Sequence, residues 1–564
     1  MNVLVNPCDD FYEFACGNYA KNLIMPDHTL RMYRLMEVQE SFDNELSELL
    51  ENVNPDNASY SLKQAKTLFD SCIDKNAQEN YGTIPLEHLP ELFGGWQMLN
   101  QSTFNATPFE WEVLAGNLTM LGVSPIITPV VQVQEDKSGK VILYLKPFTK
   151  LLRENRDYFI EASGNGSSTM RIYVKYVTDL LEMLDTLVIH VINPLYFEYL
   201  NTMMAGEPPI TVYDYLMWRT SKNCMAIVKN ALAFSISHEL VRKRISWEDR
   251  NEAERMLLQL TKVMRDQLEN SQWMGKKIKG MVLEKIRSLK TNLDYLDKVV
   301  NETEFQDYYK SLNLGPIHYF PNQFWLWKKA KTDQLSQLFH KPDPIYRRPS
   351  VLLDINPFYL RDFNKVLIPA ALLRFPMFVR DVPPFVNFGS IGMIMGHEIA
   401  HAFDSTSLIY DEDVEKGDWW DDASKRTFQE KLKCFVDQYS QEIEPIFGQE
   451  YNGDSGLAEN MADNTGLRIA YQAYLLEMEN KTDNRKLPGF EKYSSDQMFF
   501  ISSASSFCEV FSPYATVDSA SDDHSFGATR INLPLRNFEK FSEAFGCSAE
   551  SAMYEKEENM CRVW

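Results

Sequence analysis

The chain has 564 residues, 44% of them apolar and 13% aromatic, and a formal net charge of −22, which is ample apolar mass for large cores in more than one domain. That acidity excludes nucleic-acid binding through a basic stripe and disfavours adhesion to anionic lipid. The most apolar stretch, Leu180 to Phe197, is interrupted by Glu182, Asp185 and His190, so no segment reads as a membrane span.

In chain order, the opening Met-Asn-Val-Leu-Val-Asn-Pro-Cys is too short and lacks the charged leader of a signal peptide. Apolar positions three and four apart, with charges between them, predict helices over 30–52, 171–205, 224–240, 249–272 and 279–300. Polar and glycine content makes loops of 100–107 and 163–168. Strand candidates are few: Val141–Leu145 and Ser350–Ile355. The second leads into Asn356–Tyr359 and Lys365–Pro369, which read as a small sheet with one edge beside the helix that follows. Eight cysteines and seven Asn-x-Ser/Thr sequons, at Asn57, Asn100, Asn105, Asn117, Asn165, Asn301 and Asn480, point to the secretory route. The cysteine count leaves the pairing open.

Gly396-His-Glu-Ile-Ala-His-Ala-Phe-Asp404 carries the chemistry. Histidines four apart stand one above the other on a helix, about 5–6 Å between Cβ atoms, so His397 and His401 reach a single Zn²⁺ with Glu398 beside it. The helix has no proline, but its glycines weaken its propensity, so packing must hold it. The short pattern alone is not decisive; a hydrolytic zinc needs a third protein ligand and an open position. Glu459 and Asp463 lie four apart in Leu457-Ala-Glu-Asn-Met-Ala-Asp. One of them can bind the metal while the other accepts the free N–H of a ligating histidine.

These two stretches resemble the paired signatures of the neprilysin and endothelin-converting-enzyme family of zinc metallopeptidases. Pro7-Cys-Asp-Asp-Phe-Tyr-Glu-Phe-Ala-Cys-Gly17 is similar to the start of that family's extracellular region, and Cys547 through Cys561-Arg-Val-Trp564 to its end. Asn356-Pro-Phe-Tyr359 resembles its substrate-backbone motif, with Pro357 where a small residue is commoner. Asp523-His-Ser-Phe-Gly-Ala-Thr-Arg530 resembles its late His…Arg segment, with Phe526 where proline is usual.

The resemblance implies a mainly α, two-domain zinc metallopeptidase: a thermolysin-like catalytic core with a small β-sheet, formed by 1–25 and 320–564, and a helical covering domain over 26–319, shortened between Cys72 and Cys224, enclosing a central cavity. It implies one zinc on His397, His401 and Glu459, with Glu398 as general base, His524 stabilising the oxyanion, and Asp463 and Asp404 orienting the histidines. Asn356, Tyr359 and Arg530 would bind substrate, and Arg31 would receive a peptide's terminal carboxylate. The implied disulfides are Cys8–Cys547, Cys16–Cys508, Cys72–Cys224 and Cys434–Cys561; closing such long loops is worth on the order of 4–5 kcal/mol each in the chain-entropy model. The expected activity is hydrolysis of small extracellular peptides on the amino side of hydrophobic residues, by a secreted protein or an ectodomain whose targeting segment is absent here. The competing readings are a catalytically inert peptide-binding relative, against which the intact His397, Glu398, His401, Glu459 and His524 stand, and an aminopeptidase, for which no amino-terminus-capturing motif is found.

Overall fold

The computed structural model describes residues 1–23, 29–74, 224–291, 301–315, 349–408, 420–443, 452–481, 483–512 and 524–564, the backbone of three strands between 127 and 191, and scattered positions among the rest. Among the described residues the chain is mainly helical, with three small sheets. It divides into two compact units: Met1–Asn44, Glu239–Val300 and Val351–Trp564 form one, Glu45–His238 and Asn301–Ser350 the other.

In the second unit, Ile127–Val133 pairs antiparallel with Val141–Pro147, which runs parallel to Val188–Val191. The middle strand includes the expected one. The third corrects the helix expected over 171–205 at these four positions. The β-branched Val188, Ile189 and Val191 favour the pleat. The rest of 171–205, and the loops expected over 100–107 and 163–168, lie outside the described residues. The helix Tyr60–Ile73, capped by the Ser59 hydroxyl accepting from Leu62 N–H, packs against Cys224–Ala231. The rings of Phe234, Phe305, Tyr308 and Tyr309 cluster beside them.

The first unit builds the site from ten elements: β1 (Arg31–Tyr33), α1 (Trp247–Asn270), α2 (Lys276–Ser288), β2 (Phe358–Leu360), β3 (Lys365–Leu367), α3 (Ile391–Ala400), α4 (Leu457–Lys481), α5 (Ser495–Ser505), β4 (Glu509–Phe511) and α6 (Gly527–Arg536). α1 starts at a capping box in which Ser246 and Asp249 bond each other's backbone, a strong N-terminal signal. Its apolar stripe, Ala253, Met256, Leu257, Leu260 and Met264, is buried and packs on α3 and α4. Residues 239–300 are thereby grouped in space with the first unit.

Two short sheets flank α3. β1 pairs antiparallel with β4, Arg31 opposite Phe511 and Tyr33 opposite Glu509, so Arg31 stands on a strand and the helix expected from residue 30 begins at Arg34. β2 and β3 form the predicted hairpin. Asn364 turns it at φ 42° and pins it to α2 by donating to the Lys285 carbonyl at 3.0 Å and the Ser288 hydroxyl at 2.8 Å. The strand expected over Ser350–Ile355 is instead a 3₁₀ turn, Pro349–Leu353. The Asp354 carboxylate then accepts from the Ile355 and Asn356 N–H groups, a local bond that competes with strand pairing.

Three of the expected disulfides are present: Cys8–Cys547, Cys16–Cys508 and Cys434–Cys561. Cys72 is disulfide-bonded too; the side chain of its predicted partner, Cys224, lies outside the described residues. The first two bonds fix the amino-terminal helix Phe11–Cys16 onto the carboxyl-terminal region, where Phe11 packs against Phe541 and Phe545 at 4.9 and 5.1 Å between ring centroids.

Candidate metal centre and cleft

α3 is buried along its whole length. It lacks a side-chain cap, contains Gly392 and Gly396, and is stabilised by neighbours rather than by propensity. At Ala400 it tightens into a 3₁₀ turn, His401–Phe403. Its closest neighbour is α4. A Cβ on Gly396 would lie 2.8 Å from the Gly466 carbonyl oxygen, and one on Gly466 would lie 2.6 Å from the His397 amide nitrogen. The two helices therefore cross backbone to backbone at this pair of glycines. That crossing sets the first turn of α4, with Glu459, against His397 and His401.

A Gly466→Ala substitution tests the crossing. The added methyl meets backbone, which cannot rotate away, so the helices must separate at a cost of about 1–3 kcal/mol. The expected result is a lower unfolding midpoint together with zinc affinity weakened roughly tenfold or more, as for loss of a supporting group. Unchanged zinc affinity, measured by chelator competition, would show that the crossing does not position the ligands.

The two histidines are held from behind. His397 Nδ1 lies 2.8 Å from Asp463 Oδ1, and His401 Nδ1 lies 2.8 Å from Asp404 Oδ2. An ionised carboxylate only accepts, so each Nδ1 carries the proton and each Nε2 faces the cleft. Asp463 is 1% exposed and receives both arms of Arg530, Nε and Nη2, at 2.8 Å each. Burial alone would raise its pKa, but Arg530 and His397 outweigh it and bring the carboxyl down to about 2. Asp404, 3% exposed, also accepts from Thr406 N–H and Oγ1 and from Ser407 N–H, at 2.7–2.8 Å. The loop beyond is fixed by buried Lys285 of α2, which donates to the Ser407 and Tyr410 carbonyls at 2.7 and 3.0 Å.

In front of the histidines the groups converge. His397 Nε2 and His401 Nε2 are 2.9 Å apart, and each is 3.2 Å from Glu459 Oε2. His524 Nε2 approaches the same oxygen at 3.0 Å, and the ligand atoms of His397, Glu459 and His524 all lie within 4.8 Å of one another. With their Nδ1 protons given to carboxylates, the facing nitrogens present lone pairs to each other and to an anionic oxygen, which is repulsive. A cation resolves it. This donor set, two imidazoles and a carboxylate, is the kind that holds a hydrolytic Zn²⁺. The electrostatics agree: burial works against charge on His401, but Asp404, Glu459 and nearby Glu398 raise its proton affinity well above that of a free histidine. Glu459, despite burial, is held ionised by the same histidines.

The cluster opens into a cleft of about 720 Å³ lined within the first unit, in the range of ligand-binding clefts. Glu398 lines it, as do Asn356, Tyr359, Arg31, His524 and Arg530. Asn356 is exposed just before β2, while the Tyr359 hydroxyl donates to Asn364 Oδ1 at 3.0 Å. Arg31 is bonded through Nε to Glu509 Oε2 at 2.8 Å. Sequence reasoning passes over Glu509 and Lys285. One acid beside a cysteine and one lysine on an amphipathic helix carry no local signal, and only long-range contacts reveal them.

Comparison with known proteins places this geometry. Two models described as peptidase family M13 match residues 7–189 with 219–296, and 356–561. Neprilysin-1 of Trittame loki is 23% identical over 678 aligned positions, covering 100% of this chain and 93% of that protein. Membrane metallo-endopeptidase-like 1 of Mus musculus is 24% identical over 680, covering 99% and 88%. These alignments are longer than the 564-residue chain, so the relatives carry residues that it lacks. Among solved structures, the fold matches the zinc metalloprotease Zmp1 of Mycobacterium tuberculosis in complex with an inhibitor (TM-score 0.76, 17% identity, 99% of this chain and 98% of that one). It also matches a Haemonchus galactose-containing glycoprotein complex (TM-score 0.76, 19% identity, 100% and 96%). With family models spanning both ends of the chain, a donor cluster suited to zinc and a carboxylate beside it in a peptide-sized cleft, the protein belongs to peptidase family M13, the neprilysin family of zinc metalloendopeptidases.

Proposed function

We propose that this peptidase cuts small, flexible extracellular peptides on the amino side of hydrophobic residues, with zinc held by His397, His401 and Glu459. The observation that carries the ligand assignment is the triangle of 2.9, 3.2 and 3.2 Å among their three ligand atoms, tighter than the set that includes His524. Zinc in that triangle supplies the Lewis acidity that makes water acidic near neutral pH and polarises the scissile carbonyl. Glu398 takes the proton of the attacking water and passes it to the departing amine. His524, its ring 6.1 Å from that of His397 and a third exposed at its side chain, donates to the oxyanion as it forms. Asp463 and Asp404 hold the two imidazoles in the tautomer that aims Nε2 forward, and Arg530 keeps Asp463 charged. Asn356 binds the substrate main chain from the mouth of the cleft, and Tyr359 packs beside it.

The extracellular reading is supported by the disulfides, and no described helix is long and apolar enough to cross a membrane. Asn57 and Asn301 are exposed and open to glycosylation; Asn100, Asn105, Asn117, Asn165 and the side chain of Asn480 lie outside the described residues. The test of the specificity is a mass-spectrometric digest of a mixed peptide library with and without a chelator. Chelator-sensitive cuts before hydrophobic residues are expected; cuts without that preference would leave the zinc chemistry standing and remove the specificity.

Zinc binding should also depend on pH in a stated direction. In the metal-free chain the raised proton affinity of His401 means that a proton must leave before Nε2 can bind metal. Zinc affinity should therefore rise with pH through neutrality, by about one log unit per pH unit while one proton is displaced. Chelator competition between about pH 6 and pH 8, where histidines titrate, gives the slope, and a flat profile would refute the proton-coupled site.

A further inference from the structure

One part of the cleft wall lies outside the zinc chemistry. It is formed by residues of β1 and β4 with the start of α6, and the guanidinium of Arg31 there lies among three rings. The guanidinium carbon is 5.2 Å from the centroid of Tyr33, 5.7 Å from Phe511 and 5.4 Å from Phe526. Such faces attract a cation; of the three rings Tyr33 lines the cleft, while Phe526 is buried. An arginine lining a cleft is ordinarily a receptor for carboxylate, since its fork matches that group. Here a carboxylate of the chain already occupies it. Glu509 Oε2 lies 2.8 Å from Arg31 Nε, with side-chain exposures of 2% and 14%. The other oxygen of Glu509 accepts the Gly527 N–H at 2.5 Å. A side chain at position 527 would collide with the Phe507 carbonyl at 2.2 Å and crowd Glu509 Oε1 at 3.1 Å, so the glycine is what lets the carboxylate seat. The Tyr12 hydroxyl bonds the Glu509 backbone from behind. The pair is thus built into the wall from both sides.

Resting on the peptidase reading above, we propose that Glu509 sets the charge selectivity of this cleft: by neutralising Arg31 in the cleft wall, it makes that part of the cleft take uncharged substrate groups, so that a peptide needs no free carboxylate there. A second carboxylate brought to Arg31 meets the negative charge of Glu509 at close range and gains little from a guanidinium whose charge is already balanced. Burial pushes the Glu509 carboxyl above the usual carboxylate range, and Arg31 with the Gly527 N–H works against that rise; the pairing itself rests on geometry, one oxygen on Arg31 Nε and the other on Gly527 N–H. Glu509 acts through Arg31 and is a positioning residue, not a catalytic one.

The test is a series of internally quenched peptides of one apolar sequence whose carboxyl end lies one to four residues beyond the cleaved bond, each made as the free acid and as the amide. For the zinc-loaded wild-type enzyme, the ratio of kcat/KM for acid over amide should stay near or below one throughout. Glu509→Gln keeps the shape and the acceptor for Gly527 but removes the charge. For at least one peptide length it should raise that ratio about tenfold, the scale of one charge-assisted hydrogen bond, chiefly through KM. The double variant E509Q/R31Q should bring the ratio back. A wild-type enzyme that already prefers free acids tenfold overturns the proposal without recourse to any variant. So does an unchanged ratio in folded, zinc-containing Glu509→Gln, or a raised ratio that persists in the double variant. Wild-type enzyme that cuts neither form of any peptide would instead strike at the peptidase reading itself.

Discussion

Glu398→Gln is expected to keep its zinc and lose its turnover. Glutamine has nearly the shape of glutamate, and Glu398 is not among the groups that meet at the triangle of His397, His401 and Glu459, so the donors and their supports at Asp463 and Asp404 stay in place. What disappears is the proton acceptor for the attacking water. A positioned general base is worth about 10²–10⁴ in rate, and the same residue also returns the proton to the leaving amine, so kcat should fall by at least that much with little change in KM. The measurements are metal content by atomic spectroscopy and hydrolysis of a quenched peptide on the same preparation. Activity within a few-fold of the parent would remove Glu398 from the mechanism, whatever the zinc content.

Glu459→Val is expected to lose both metal and activity. Glu459 Oε2 approaches His397, His401 and His524 alike, at 3.0–3.2 Å. Without it, a bound divalent ion keeps two imidazoles and no protein anion in contact, short of the three ligands that catalytic zinc sites use. The parallel loss of His401, by His401→Ala, should behave alike, whereas His524→Ala should retain one zinc per chain and lose turnover. That contrast decides between the two triads that share His397 and Glu459. Zinc lost in His524→Ala would show that His524 is a ligand and that the oxyanion is stabilised by another group, and zinc retained at full occupancy in Glu459→Val would show that the third ligand lies elsewhere.

Some of this was legible in the residues alone and some was not. The spacing His397-Glu398-x-x-His401 states a helix face, a donor pair and an adjacent base in five residues, because a helical repeat places i and i+4 together whatever surrounds them. Glu459 and Asp463 follow the same rule, and so do the helices expected at 249–272 and 224–240, the first found over Trp247–Asn270 and the second as two pieces, Cys224–Ala231 and Ala233–Arg244. The hairpin at 358–367 was readable from two short apolar runs with a polar turn. In each case the information lies within one or two turns of chain.

Tertiary structure decided what depends on partners far away in sequence. Whether Glu459 reaches the histidines rests on Gly396 meeting Gly466, two residues that a local reading scores only as weak helix formers; their value is the absence of a side chain at a crossing. The grouping of 239–300 with the first unit follows from α1 packing on α3 and α4, since an amphipathic stripe states that a face is buried but not against what. Val188–Val191 became a strand, and Ser350–Ile355 a 3₁₀ turn, where pairing or an Asp354 side-chain bond settled the local structure. Arg31 shows the limit most plainly: a basic residue near the start of the chain reads as a receptor for anions, and only folding sets Glu509, 478 residues away, against it at 2.8 Å. Local periodicity encodes faces and spacings, while the charge state of a site is a sum over neighbours that only the folded chain assembles.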